Sequence, residues 1–382
     1  MRTAEELKNF GVIKTEEMVL NMGPQHPSTH GVLRLKIKTD GEIVSEIEPH
    51  IGYLHRCFEK HCENVTYEQV IPYVDRCDYL ASMNNSHVWA MAVEKLMGIE
   101  IPERVEYIRV IMAELQRIAS HLMAVGAMGL DLGGITPITY TFRDRERILD
   151  LFEYVSGARL LYNYIWIGGV AHDLPPNFVQ HTRDFLDWFE PQIVEYDRLL
   201  TYNKIFIERT ADVGVLPADV AINWGCTGPV LRASGVAWDL RRAEPYSIYD
   251  RFDFDVVVGK GEVGTVGDCW DRYWVRVEEM RQCIRIVRQA LDQLPPDGDV
   301  HAAVPKKVRP PKGEIHFRAE NPKGDLGFYI VSDGSPKPYR VKMRSPAFCN
   351  LSVINEIARG WMISDVIAVL GSLDIVLGEI DR

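Results

Sequence analysis

The chain has 382 residues, of which 46% are hydrophobic, and its 43 basic and 54 acidic side chains give a formal net charge of −11. That composition excludes an intrinsically disordered chain and is enough to bury a sizeable core, with two or three units expected from the length. The acidic balance argues against a nucleic-acid surface, which needs clustered Lys and Arg.

At the start of the chain, Met1 to Phe10 carries two acidic residues and no apolar block, so neither a secretory signal nor an Arg-rich transit peptide is expected. Next come alternating runs, Met18-Val-Leu, Val32-Leu-Arg-Leu-Lys-Ile-Lys and Glu42-Ile-Val-Ser-Glu-Ile. The last two flank Asp40-Gly41, a strong hairpin signal. The loop Gly23-Pro-Gln-His-Pro-Ser-Thr-His-Gly31 feeds this small sheet.

From Glu59 to about Leu200 the pattern turns helical. Tyr79, Met83, Ser86, Ala90, Val93 and Met97 share one stripe, and Val105, Ile108, Met112, Leu115, Ala119 and Leu122 share another. Further helices are expected from Arg143 to Ile167 and from Phe178 to Leu200. A membrane span needs about 18 or more apolar residues. The nearest approach is His121 to Phe142, free of Lys, Arg and Glu but broken by Asp131, Gly133, Gly134 and Pro137. It reads as the end of a buried helix followed by a buried loop.

Another long helix runs from Tyr273 to Leu294 and must stop at Pro295-Pro296. A proline-rich connector with Lys306-Lys307 leads to three strands, at Glu314–Glu320, Leu326–Ser332 and Tyr339–Arg344, and then to helical segments from Asn350 to Leu370. The tail, Leu373 to Arg382, is apolar and carries acids, so it should be buried or docked. The fold class is therefore α+β, a central helical bundle with small antiparallel sheets near both ends. The expected division is 1–58, a β-rich region carrying the His26/His30 loop; 59–294, the bundle; 295–313, the connector; and 314–382, an α+β region with the tail.

Chemistry-bearing residues are few. The seven cysteines (Cys57, Cys62, Cys77, Cys226, Cys269, Cys283, Cys349) form no C-x-x-C pair, as expected for free thiols in a reducing compartment and a chain with no metal site of its own. Gly259-Lys-Gly-Glu-Val-Gly264 matches a dinucleotide fingerprint after the strand-like Phe254 to Val258. The helix that follows leads to no second parallel strand bearing the acidic ribose ligand, so a plain glycine-rich loop is favoured. His26 and His30, four residues apart, could present a proton donor or could simply bond the backbone of their turn. Tyr79 could be a donor or a core tyrosine with a satisfied hydroxyl. Asp131, the lone acid between Glu114 and Asp144, needs a cationic or hydrogen-bonding partner if it is buried, with a histidine a natural candidate; a helix cap would explain it equally.

Several blocks together change the weight of these signals. Gly23 to Leu35, Gly52-Tyr-Leu-His-Arg56, Tyr107 to Leu122, Ile222-Asn-Trp-Gly225, Leu231-Arg-Ala-Ser-Gly235 and Gly371 to Arg382 resemble, over essentially the whole chain, the D-subunit family of proton-pumping NADH:quinone oxidoreductases, respiratory complex I. That family is related to the large subunit of nickel-iron hydrogenases. The hydrogenase centre requires two C-x-x-C pairs; here Val376 and Glu379 stand at one pair of positions, and Asp78 and Ala81 at the other. Nickel needs soft thiolates, so that activity is not expected.

The resemblance implies that the vacated cavity binds a quinone headgroup. His30 and Tyr79 match the pair that hydrogen-bonds it, Asp131 matches the acid that pairs with the histidine, and His26, in the same loop, is a further candidate to assist in binding the quinone. Arg56 matches an arginine beside an iron-sulfur cluster supplied by the neighbouring B-subunit. The B-, C- and membrane-embedded H-subunits are the implied partners, quinone (ubiquinone or menaquinone) the implied substrate, and the cytoplasmic face of the bacterial inner membrane the implied location. The equivalent component of a ferredoxin-dependent complex is the alternative. Two departures stand out: Cys57 replaces a common glycine, and Leu161 replaces a histidine that in many members couples the cluster potential to pH.

Overall fold

The structure, a computed structural model, describes residues 17–382, so the expectation for Met1 to Phe10 lies outside the described residues. Strands β1 (Glu17–Met22), β2 (Arg34–Asp40) and β3 (Ile43–His50) form an antiparallel sheet in that order, with β2 and β3 closed by the Asp40-Gly41 turn. Alternate residues of β2 are buried, as its period-two pattern requires.

The bundle begins with α1 (Phe58–Cys62), α2 (Tyr67–Asp75) and α3 (Ser82–Met97). Thr66 and Gln69 build a capping box on α2, satisfying amides at its first turn. At the centre lies α4 (Glu103–Asp131), packed against α3, against α5 (Ile135–Ser156), and against two later helices. A two-stranded ribbon, β4 (Ile165–Trp166) and β5 (Gly169–Val170), precedes α6 (Phe178–Tyr196). Four short helices follow, α7 (Lys204–Thr210), α8 (Ala218–Asn223), α9 (Pro229–Ala233) and α10 (Leu240–Ala243). The second central helix, α11 (Cys269–Gln293), ends just before Pro295.

Because α4 is covered on most sides, its Arg109, Glu114 and Arg117 are interior, and buried charges of this kind need counter-charges to offset desolvation. Arg241 meets Glu114 at 3.0 Å and Asp239 at 2.7 Å. Arg232 bridges Glu279 and Glu320 at 2.8 and 2.7 Å, and His121 reaches Glu279 at 2.9 Å.

Beyond the connector, β6 (Gly313–Asn321), β7 (Gly324–Ser332) and β8 (Arg340–Arg344) make a second antiparallel sheet. It packs on α3, where Trp89 meets Phe328 edge-on at 5.4 Å. Last come α12 (Pro346–Ser352), α13 (Ile354–Ala358), α14 (Ile363–Leu373) and α15 (Leu377–Asp381). The tail is buried, with every residue from Leu373 to Asp381 inside. No helix among the described residues is long and apolar enough to cross a membrane.

Three expectations are corrected. The stretch after Asp131 is not a buried loop: a three-residue turn leads into α5, and Leu130 and Ile135 are 42% and 69% exposed. The absence of charge there marks an apolar surface, not burial. The helix expected from Arg143 to Ile167 starts earlier and stops at Ser156, where Gly157 takes the left-handed conformation of a C-cap (φ +76°). Phe254 to Val258 is not a strand; this stretch runs as irregular chain ahead of α11.

Candidate functional site

The loop between β1 and β2 separates its two histidines. His26 caps the short 3-10 turn Pro27–Thr29, its Nδ1 accepting from the Ser28 amide at 3.2 Å, while the Thr29 hydroxyl and amide both donate to the His26 carbonyl. His26 thus takes the backbone-bonding role left open for turn histidines. His30 ends the turn in the left-handed region (φ 53°, ψ 40°), a conformation that costs an L-residue roughly 1–2 kcal/mol. That bend carries its imidazole to the end of α4, where Nε2 lies 2.7 Å from Asp131 Oδ2. Their side chains are 16% and 9% exposed. Asp131 is the last residue of α4, where the helix dipole disfavours an anion, and α5 has no side-chain cap. Its carboxylate serves the histidine and is not a cap. With Nε2 committed to Asp131, Nδ1 is the ring atom left to meet a ligand.

Tyr79 lies in the turn between α2 and α3, before α3 begins, and not on the helical stripe its spacing suggested. Buried side chains pin the turn's backbone: Ser82 Oγ donates to the Asp75 carbonyl at 3.1 Å, Asn85 Nδ2 to those of Val74 and Asp78, and Gln116 Nε2 to that of Leu80 at 2.6 Å. The phenol is left 38% exposed, with no hydrogen bond of its own among the described residues. Partial burial and the adjacent Asp78 carboxyl raise its affinity for its proton above that of an ordinary tyrosine.

The tail joins these pieces. Gly371 on α14 faces Asp131, where a methyl would lie 3.4 Å from Oδ2, and Leu377 sits against Gly31. Gly378 lies so close to the Arg76–Asp78 turn that a methyl would sit 2.6 Å from the Cys77 carbonyl oxygen, so only glycine fits there. The tail therefore runs from the His30–Asp131 pair to the Tyr79 turn, though no hydrogen bond joins the two among the described residues.

Arg56 is exposed; its Nη2 donates to the Arg76 carbonyl at 2.7 Å. Its loop is fastened to the chain end, with Asp381 accepting from the amides of Gly52 and Leu54 at 2.8 and 2.7 Å. A cleft of about 440 Å³ lies beside it, lined by His55, Cys57, Glu59, Arg340 and Arg382 among others.

Behind Tyr79 sits a buried charge cluster that sequence reasoning recognised only in part. Lys323, in the β6–β7 turn, is 1% exposed; its Nζ lies 3.4 Å from Asp78 and 3.6 Å from Asp374 and donates to Ser120 Oγ at 3.1 Å. Asn321-Pro-Lys-Gly324 looks like an ordinary exposed turn, but it is buried by packing on Thr227 and Gly228 and by the residues around Lys323. Burial opposes the lysine's charge, but the carboxylates around it outweigh that and raise its proton affinity. Among the described residues, no three His, Cys, Asp or Glu side chains converge as metal ligands.

The class these features define is a helical-bundle protein with small antiparallel sheets that carries a histidine–carboxylate pair and a buried acid–lysine cluster. Residues 131–310 and 302–382 match the family described as respiratory-chain NADH dehydrogenase, 49 Kd subunit. The chain is 57% identical to the NADH-quinone oxidoreductase D-subunit of Chlorobium luteolum, over 97% of this chain and 94% of that one. It is 55% identical to an NADH-quinone oxidoreductase D-subunit of Cytophaga hutchinsonii over the whole of both chains. The chain belongs to this family, whose members are parts of a multisubunit oxidoreductase.

Proposed function

We propose that this chain forms the quinone headgroup site of a proton-pumping NADH:quinone oxidoreductase, with His30 and Tyr79 as hydrogen-bond donors to the two ends of the reacting ring system. The observation that carries the reading is the 2.7 Å contact between His30 and Asp131. Quinone reduction takes up two electrons and two protons, and the developing oxyanions need donors already in place. An imidazolium held by a carboxylate can give a proton from Nδ1 and recover one later. Tyr79, exposed and without a protein partner among the described residues, offers the second donor, and His26 supports the turn that carries His30.

In this reading the B-subunit supplies the terminal iron-sulfur cluster near Arg56, whose permanent positive charge favours the reduced cluster. The B-, C- and H-subunits cover the open faces and hold the chain at the cytoplasmic side of the membrane. A ferredoxin-fed complex would use the same site, so the electron donor is a separate matter. The hydrogenase reading is not favoured, because Asp78, Ala81, Val376 and Glu379 occupy the thiolate positions.

A photoreactive quinone bound to the assembled complex and then irradiated is expected to label peptides bearing His30 or Tyr79. Labelling confined to other chains of the complex, or to distant peptides of this one, would overturn the assignment.

Leu161 carries a second expectation. It stands in a loop anchored by Asp75, whose carboxylate accepts from the Asn163 amide at 3.0 Å and from Ser86. Burial raises the Asp75 carboxyl to about 6, so it is ionised above neutrality, and leucine cannot titrate. EPR redox titration should give a cluster midpoint that is flat around neutrality and becomes pH-dependent in Leu161→His. A wild-type slope there would contradict this.

A further inference from the structure

Three buried carboxyls, Asp78, Asp374 and Glu379, face only two cations that lie within salt-bridge range of any of them, Lys323 and Arg276, among the described residues. Arg276 Nε is 3.6 Å from Asp374 and makes no hydrogen bond. The same guanidinium spends Nη1 on the carbonyls of Arg272 and Ser372. Arg272, one turn earlier on α11, gives its donors to Ser372 and to the carbonyls of Gly267 and Gly214 rather than to a carboxylate. From α12, the Ala347 amide reaches Glu379 Oε2 at 3.3 Å. Outside the cluster stand the buried Cys77 thiol and the exposed Arg56, whose guanidinium is committed to the Arg76 carbonyl. Asp78 Oδ2 and Glu379 Oε1 have no hydrogen-bond partner, although both residues are fully buried.

An interior with three anions and two cations carries an uncompensated charge, and proteins relieve this by binding a proton. We infer that the Asp78–Glu379 pair holds one proton in the resting protein and passes it to Tyr79 after the tyrosine has protonated the reduced substrate. The inference rests on the quinone reading above. Two carboxylates then balance two cations. Burial first, then the Asp78 charge, raises the Glu379 carboxyl to about 8, consistent with an acid neutral at physiological pH.

Protons and electrons balance. The neighbouring cluster supplies two electrons, His30 gives one proton and the Tyr79 hydroxyl the other, and quinol leaves a tyrosinate. The pair's O–H then breaks and the phenol O–H forms again, leaving both carboxyls ionised until solvent reprotonates them. Transfer in that direction is favourable, because Tyr79 holds its proton more tightly than an ordinary tyrosine. Asp78 adjoins Tyr79 in the chain, and the close seat of Gly378 on Cys77 brings Glu379 to the same turn.

The test is infrared spectroscopy of the assembled complex, with Glu379→Gln beside wild type. A protonated-carboxyl band is expected at neutral pH, titrating near pH 8 and lost in the variant. Turnover of Glu379→Gln should fall by about 10²-fold, the scale of one lost proton-transfer group, with little change in KM, and Glu379→Asp should restore part of it. The stability readout follows by sign. An acid whose proton affinity is raised on folding stabilises the fold below its ordinary titration range, and that contribution is lost as pH rises to about 8, a slope that Glu379→Gln should flatten.

A wild-type spectrum without a carboxyl titrating in the neutral range overturns the inference even if the variant fails to assemble. So does an unchanged band, or wild-type turnover, in Glu379→Gln. The band requires no substrate. If it behaves as expected while Tyr79→Phe turns over normally, the stored proton stands and the quinone reading fails.

Discussion

Replacing Tyr79 with Phe lowers quinone reductase turnover of the assembled complex by about 10²-fold or more, with assembly unchanged, because one oriented donor is lost and nothing else. The hydroxyl makes no hydrogen bond among the described residues, so its removal costs the fold little. The turn that presents it is held through backbone carbonyls, by Ser82, Asn85 and Gln116, and these bonds survive the substitution. A merely structural tyrosine would behave the other way, with assembly impaired and turnover per complex preserved. Steady-state kinetics, normalised to the amount of assembled complex, distinguishes the two.

The second large effect is expected at Asp131. Asp131→Asn keeps the shape and one oxygen acceptor but removes the charge that holds the His30 imidazolium, and turnover should fall by about 10²-fold. Asp131 lies at the end of a 29-residue helix where its charge is unfavourable to the dipole, so its removal leaves the helix no less stable. Unchanged kinetics in the variant would mean that the 2.7 Å contact is structural.

Signals that depend on local chain chemistry are readable in the sequence. Asp40-Gly41 closes the first hairpin, Pro295-Pro296 follows the end of α11, and the apolar tail is buried as expected. Asp131 is recognisable because a lone acid in an uncharged stretch needs a partner. What cannot be read is set by tertiary contact. Tyr79 continues the spacing of α3 perfectly well, yet Asn85 and Ser82 draw the preceding carbonyls into a turn that keeps it out of the helix. His26 and His30 look equivalent as letters. Only the left-handed backbone at His30 sends one ring to Asp131 while the other closes its own turn. Lys323 escapes notice because a lysine after Pro in a two-residue turn is ordinarily solvated, and its burial depends on Asp78 and Asp374 arriving from opposite ends of the chain.

The central claim, that quinone is reduced at the Tyr79–His30 site, is tested most directly by following the neighbouring cluster during one turnover. In freeze-quench EPR of the assembled complex carrying Tyr79→Phe, the cluster should become reduced at the wild-type rate, and its reoxidation by added quinone should slow by about 10²-fold. Reoxidation at the wild-type rate in that variant would contradict quinone reduction at this site.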